Sequence, residues 1–340
     1  MITLSLPSPT ELKARLPLPL DLQQKVKSSR LSIQKLLQNP QKLLLIVGPC
    51  SIYDEAATLE YAHKLKEVAD KIASSCFVVM RAYLEKPRTL SGWKGFLYQS
   101  DLSQAPDLAR SLFLARQLLL QLTAVGLPLA MEFVNPLSAC YFDDLISWGC
   151  IGARTSASQI HRQIASSLSF PVGFKNSVDG NIQLPIQAMV SASLSHSYLG
   201  ISQEGKVASL TSSGNPHTHL ILRGSDTSTN YDLDSIKKAF HYEALYHKHS
   251  PILVDCSHGN SKKNLSKQKE VFLEVLDYKN QVPSLLLGLM LESFLEAGSQ
   301  KPPSPLNPRR SLTDPCLDWE TTEALLLYAH EALSCTLASS

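Results

Sequence analysis

Cys76-Phe-Val-Val-Met-Arg81, continued by Ala82-Tyr-Leu-Glu-Lys-Pro-Arg-Thr-Leu-Ser-Gly-Trp-Lys-Gly95, decides how this chain is read. The apolar run from Cys76 to Val79 reads as a buried strand. Four cations, Arg81, Lys86, Arg88 and Lys94, follow within fourteen residues, beside the single carboxylate of Glu85. Pro87 and two glycines argue against a continuing helix, so these cations lie at a strand end and on the loop after it. A solvated basic loop is the plain alternative. Arg grips phosphate and carboxylate through its planar fork and Lys as a point charge. The stretch therefore predicts an anion site at a strand C-terminus.

Outward from it, strand and helix signals alternate regularly. Leu43–Val47 is the first strand, followed by a helix capped at Asp54, and Phe77–Ala82 is the second. A helix from about Pro106 to Ala124 stops near Gly126. Further strands are expected at 129–133, 150–154, 171–175, 220–223, 252–255 and 286–290. The helix after the fourth opens with a capping-box pattern, Ser156 to Gln159, and another helix runs from about Gln183 to Ser195. Eight apolar strands separated by helices predict an α/β fold, a (β/α)8 TIM barrel, rather than an open doubly wound sheet. No strand leads into a G-x-G-x-x-G turn. Two segments stand outside the barrel at 43–338. Residues 1–40 form an N-terminal extension, with a proline-rich extended arm over 1–20 and a helix over 21–39. An inserted β-hairpin spans Tyr198 to Leu210, turning at Glu204-Gly205. A proline-rich loop, 301–310, precedes a last helix over 318–337. All of this reads as a single domain.

The 340 residues are 44% hydrophobic and 18% charged, as in a soluble globular protein. A net charge of +2 argues against general affinity for nucleic acid or anionic membrane. Seven scattered cysteines without a C-x-x-C pair point to reduced thiols and a cytoplasmic protein. No apolar run approaches membrane-span length, and no secretory layout opens the chain.

In such a barrel the active site is built at the C-terminal strand ends. These deliver Cys50, then Arg81 with Lys86 and Arg88, then Glu132, Arg154, Lys175, Arg223, Asp255 with His258, and Glu292. So many cations at one mouth are costly without an anion to neutralise them, which predicts a small ligand with several negative charges, such as a sugar phosphate or an acyl phosphate. Cys50, His258 and Glu292 fall at strands one, seven and eight, neighbours around a closed ring. Thiolate, imidazole and carboxylate together suit a divalent transition ion in an open, catalytic site.

At Gly48-Pro-Cys-Ser-Ile52, Glu85-Lys-Pro-Arg-Thr89, Gly92-Trp-Lys-Gly95, Gly152-Ala-Arg-Thr155, Pro171-Val-Gly-Phe-Lys-Asn176, Ile221-Leu-Arg-Gly224, Asp255-Cys-Ser-His-Gly-Asn-Ser261, Glu292-Ser293 and Thr313-Asp-Pro-Cys316 the chain resembles the microbial 3-deoxy-arabino-heptulosonate 7-phosphate (DAHP) synthases. The motifs run in family order over about residues 10 to 335. The resemblance implies condensation of phosphoenolpyruvate with erythrose 4-phosphate and water to give DAHP and phosphate, the first step of the shikimate pathway. It implies one divalent metal ion on Cys50, His258, Glu292 and Asp314, with Mn, Fe, Co, Zn and Cu all compatible. It assigns phosphoenolpyruvate to Arg81, Lys86, Ala153, Arg154, Lys175 and Arg223, and the second phosphate to Pro87, Arg88 and Thr89. Lys86, Glu132 and His258 are the candidate catalytic groups. Lys86 is a candidate proton donor, and either Glu132 or the metal would activate the water. A Schiff-base aldolase through Lys175 is one rival, and a catalytically dead regulatory barrel is another. Ser177-Val178 and Ser225-Asp226 stand where the family usually has Gly-Thr and Gly-Lys, and Leu90 where a small polar residue is common.

In the same family, elements outside the barrel meet at subunit interfaces and form a pocket for an inhibiting aromatic amino acid. The resemblance thus implies an aromatic amino acid effector and a homodimer or homotetramer. The lining positions it suggests are Asn135, Ile164, Leu168, Tyr198, Gly200 and Leu210. Local sequence at 133–136, 199–201 and 255–259 is similar to that of the tyrosine-inhibited isoenzyme, and Gly200 leaves room for a para-hydroxyl. Tyrosine is therefore expected over phenylalanine or tryptophan.

Overall fold

Alternate residues of a strand face opposite ways, and that period of two sorts the apolar runs into two layers. In β1 (Leu43–Gly48), Leu44 and Ile46 join an inner cluster with Val79, Ala130, Trp148, Cys150, Ile221, Leu253, Leu287 and Met290. Leu43, Leu45 and Val47 join an outer cluster shared with the helices. The computed structural model describes residues 4–88, 92–302 and 305–337. Its other barrel strands are β2 (Cys76–Arg81), β3 (Leu129–Glu132), β4 (Trp148–Ile151), β5 (Val172–Lys175), β8 (Thr218–Leu222), β9 (Ile252–Asp255) and β10 (Leu286–Glu292). Neighbours pair in parallel, and β1 pairs with both β2 and β10. The sheet is therefore closed, as expected for a (β/α)8 barrel and not for an open sheet.

The outer ring holds α3 (Glu55–Lys71), α4 (Leu108–Val125), α5 (Ser138–Phe142), α6 (Gln159–Ser167), α7 (Gln183–Ala192), α8 (Leu233–Ala244), α10 (Leu265–Gln281) and α11 (Trp319–Leu337). Asp54 caps α3 by accepting from the Ala57 N–H, and Gly126 ends α4 at φ 97°, a left-handed conformation that favours glycine. α9 (His258–Ser261) is a single turn after β9, and a short pair, β11 (Glu296–Ser299) and β12 (Arg310–Ser311), follows β10. The hairpin is β6 (Ser197–Ile201) with β7 (Val207–Thr211). α2 (Leu20–Gln38) sends Ile33, Leu36 and Leu37 onto the inner barrel cluster.

Three expectations need correction. The arm is not extended throughout, because Pro9–Arg15 forms α1. Ser8 and Glu11 make a reciprocal capping box, and Pro9 sits at the first helical position, where its missing N–H costs nothing. The box expected at 156–159 does not form. Ser158 is the N-cap of α6 without a side-chain cap bond, and its hydroxyl lies 2.9 Å from His161 Nδ1 instead. The fourth strand is Trp148–Ile151, which puts Arg154 on the loop beyond it. Among the described residues there is no disulfide, and no helix is long and apolar enough to cross a membrane.

Candidate active site

One cavity of about 670 Å3 opens at the C-terminal ends of the strands. It is lined by Cys50, Arg81, Lys86, Pro87, Arg88, Glu132, Ala153, Arg154, Lys175, Arg223, His258, Glu292 and Asp314. These are all the catalytic, substrate and metal residues expected from sequence except Thr89, which lies outside the described residues. Tyr83, Glu85, Val178, Asp226 and Lys263 also line it and were not expected. Tyr83 and Glu85 follow Arg81 at intervals of two, the period that puts extended residues on one side, so that signal was available. Lys263 had none. It arrives through consecutive left-handed residues, Lys262 at φ 50° and Lys263 at φ 60°.

On one side of the cavity ligand atoms of Cys50, Glu292 and Asp314 lie within 4.8 Å of one another. His258 stands beside this group but is not within the same mutual spacing, with Nε2 3.6 Å from Glu292 Oε1. Its other ring nitrogen, Nδ1, lies 2.9 Å from Asp255 Oδ2, the carboxylate–histidine pairing that orients metal-ligating imidazoles. His258 sits at φ 53°, uncommon outside glycine. A thiol and two carboxylates at this spacing, with an imidazole next to them, are donors that suit a divalent transition ion. Lys86 Nζ stands 2.7 Å from Cys50 Sγ and 2.9 Å from Asp314 Oδ2. Burial works against its charge, but Cys50, Glu292 and Asp314 outweigh that and draw its pKa up. Burial and then Glu292 push the Cys50 thiol up to about 11. Partial burial works against the charge of Asp314 as well, yet Lys86 and Lys263 hold its carboxyl well below the usual range.

The cations are less naked than the sequence suggested. Arg81 Nη2 lies 3.2 Å from Glu292 Oε1 and Arg81 Cζ 4.1 Å from the Tyr83 ring centroid, and Lys175 Nζ lies 3.0 Å from Asp255 Oδ2. Carboxylates of the chain itself therefore offset part of the charge. Arg223 is the exception that points to a ligand. It is only 8% exposed, and its Nε has no hydrogen-bond partner. A buried guanidinium N–H without a partner is expensive unless something accepts from it.

A second cavity, of about 250 Å3, lies between α6, the β3–α5 corner and the hairpin. Ile164, Leu168, Tyr198, Gly200 and Leu210 line it as expected. Asn135 does not. Its backbone N–H turns the other way and donates to Glu85 at 3.2 Å.

Residues 24–327 match the model of the DAHP synthetase I family. The Tyr-sensitive phospho-2-dehydro-3-deoxyheptonate aldolase of Salmonella typhimurium is 42% identical over 338 residues, covering 97% of this chain and 94% of that protein. The Trp-sensitive enzyme of Escherichia coli is also 42% identical, over 325 residues, covering 95% and 93%. A solved phospho-2-dehydro-3-deoxyheptonate aldolase from Francisella tularensis superposes with a TM-score of 0.95 at 38% identity, covering 98% of both chains. Matched along nearly its whole length in sequence and in fold, the chain belongs to the DAHP synthetase I family.

Proposed function

We propose that this chain condenses phosphoenolpyruvate with erythrose 4-phosphate and water, releasing phosphate and DAHP, with a divalent metal held by Cys50, His258, Glu292 and Asp314. The observation that carries the reading is one cavity joining that donor set to Arg154, Lys175 and the unpartnered Nε of Arg223. Arg81, Lys86, Ala153, Arg154, Lys175 and Arg223 hold the enol phosphate. Pro87, Arg88 and Thr89 receive the tetrose phosphate, which orients its aldehyde toward C3 of the enol. When bound, a divalent ion supplies Lewis-acid polarisation of the aldehyde oxygen. Lys86 Nζ carries the proton to be delivered. Glu132, 8% exposed on the cavity wall, accepts one from the water that attacks C2. A Schiff base through Lys175 is disfavoured, since it needs a neutral amine. Burial favours that form, but Asp255 overrides it and draws the Lys175 pKa up.

We read the smaller cavity as the site of an inhibiting aromatic amino acid, tyrosine by preference, and the active form as a homodimer or homotetramer. Support for the effector comes from the five expected positions that share that cavity. The test is loss of phosphoenolpyruvate with and without erythrose 4-phosphate, with a chelator, and with each aromatic amino acid in turn. Turnover that needs the tetrose, stops with chelator and returns with metal is expected, with tyrosine the strongest inhibitor. Turnover indifferent to the tetrose or to chelation refutes the catalytic reading, and a preference for phenylalanine refutes the effector choice.

A further inference from the structure

Arg223, with its unpartnered Nε, stands just past the end of β8, where the strand ladder stops and its backbone needs other partners. Three asparagines supply them. Asn176 directly follows β5, Asn230 lies on the loop between β8 and α8, and Asn260 sits on α9. Asn176 and Asn260 are fully buried and Asn230 is half-buried, and none of the three lines the large cavity. The Leu222 carbonyl accepts from Asn260 Nδ2 at 3.2 Å, and the Arg223 N–H donates to Asn176 Oδ1 at 2.7 Å. The Arg223 carbonyl accepts from the Asn260 N–H at 3.2 Å, and the Gly224 N–H donates to Asn230 Oδ1 at 2.7 Å. The Gly224 carbonyl accepts from Asn176 Nδ2 at 2.9 Å. Five consecutive backbone groups are thus each bonded to one of the three residues. An amide side chain carries both a donor and an acceptor, so it can replace a neighbouring strand's peptide.

The asparagines also hold one another. Asn230 Nδ2 donates to Asn176 Oδ1 at 3.1 Å, and the Asn230 N–H donates to Asn260 Oδ1 at 2.9 Å. Arg223 rests its side chain on this clasp, for Nη1 donates at 3.3 Å to the same Gly224 oxygen that Asn176 holds. We propose that Asn176, Asn230 and Asn260 are positioning residues that aim the Arg223 guanidinium at the substrate anion. The proposal rests on the reading of Arg223 as a phosphoenolpyruvate group given above. A satisfied buried polar network specifies one geometry. An arginine already held in its binding geometry loses less conformational freedom when the ligand arrives.

The test strikes Asn230, which bonds to no residue expected to hold substrate or metal. Asn230→Ala removes the acceptor of the Gly224 N–H and the donor to Asn176. Asn230→Asp, of the same shape and with the acceptor kept, serves where the alanine variant does not fold. Each is made in the parent and in Arg223→Lys, which keeps a charge but not the fork. Equilibrium dialysis of phosphoenolpyruvate, KM for each substrate, metal content and thermal midpoint are measured on the metal-loaded enzyme. In the parent background Asn230→Ala should weaken phosphoenolpyruvate about three- to tenfold, the range one weakened hydrogen bond to the ligand carries. KM for erythrose 4-phosphate and metal content should not change. In the Arg223→Lys background the same substitution should alter that affinity less than about twofold, because residues acting as one unit are not additive. Loss by the same factor in both backgrounds shows that Asn230 does not act through Arg223 and overturns the proposal. So does a lower thermal midpoint with phosphoenolpyruvate affinity unchanged, which makes the clasp merely structural. If Arg223→Lys by itself leaves that affinity unchanged, the reading of Arg223 as a substrate group is what fails, and the clasp has nothing to aim.

Discussion

Cys50 lies 1% exposed at the end of β1, with its N–H donating to Cys316 Sγ at 3.3 Å and its thiol facing Asp314 Oδ2 at 3.7 Å. As a proposed metal ligand Cys50 would bind as thiolate, so loading the site would release the proton that burial keeps on this sulfur. Cys50→Ala should remove both metal and activity while thermal unfolding stays close to that of the parent. Stoichiometric metal in that variant by elemental analysis would sink the ligand assignment. The two anion sites separate at the same scale. Arg154→Ala should chiefly raise KM for phosphoenolpyruvate, and Arg88→Ala that for erythrose 4-phosphate. Each loses a charge-assisted contact of about 1.5–3 kcal/mol, roughly ten- to a hundredfold. Initial rates with each substrate varied in turn decide it, and equal effects on both substrates in both variants would refute the division.

Elements carry consequences of their own. α8 ends with Glu243 fully buried, one oxygen accepting from the Ser250 N–H at 3.1 Å and the other without a partner. Burial pushes its carboxyl up to about 8, against smaller opposing effects of Ser250 and Lys248. Between the ordinary carboxylate pKa and 8 the folded chain keeps a proton the unfolded chain has lost. Stability therefore drains away as pH rises through this window, at up to roughly 1.4 kcal/mol per pH unit from this group. Glu243→Gln should gain on the parent in urea-denaturation midpoint from pH 5 to pH 8 and hold its lead above that. A gap that does not change with pH would contradict the assignment. The hairpin makes a different demand. A Cβ at Gly200 would stand 2.6 Å from Leu210 Cδ1, so Gly200→Ser must push Leu210 within the smaller cavity. Weaker inhibition by tyrosine with unchanged basal turnover is expected from inhibition curves, and undiminished inhibition would place the effector elsewhere.

At the scale of the whole molecule, the hairpin turns Leu199 and Val207 outward, 80% and 75% exposed, and a two-stranded ribbon is marginal by itself in water. Light scattering should give a mass that is a multiple of 37.4 kDa, and Leu199→Asp with Val207→Asp should lower it; a monomeric parent would refute the assembly. The barrel itself was legible from the chain, because apolar alternation, strand spacing and the polar residues at or just past the strand ends are local properties. The cations at the ends of β2 and β5 and just past β8 could be named without knowing what stood opposite them. The same local reading missed α1, since Pro7, Pro9, Pro17 and Pro19 look like breakers until Ser8 and Glu11 are seen closing a cap around Pro9. Strand-end reasoning alone did not reach Asp314, which lies far along a loop after β10 and was supplied only by resemblance. Closure of the barrel brings it to Cys50, 264 positions away in sequence. Tertiary structure likewise decided that Arg81, Lys86 and Lys175 meet carboxylates of their own chain, and that Asn135 serves Glu85 and not the smaller cavity. Side-chain periodicity is written residue by residue, whereas the partner of a buried charge is chosen by how distant strand ends and loops converge at one mouth.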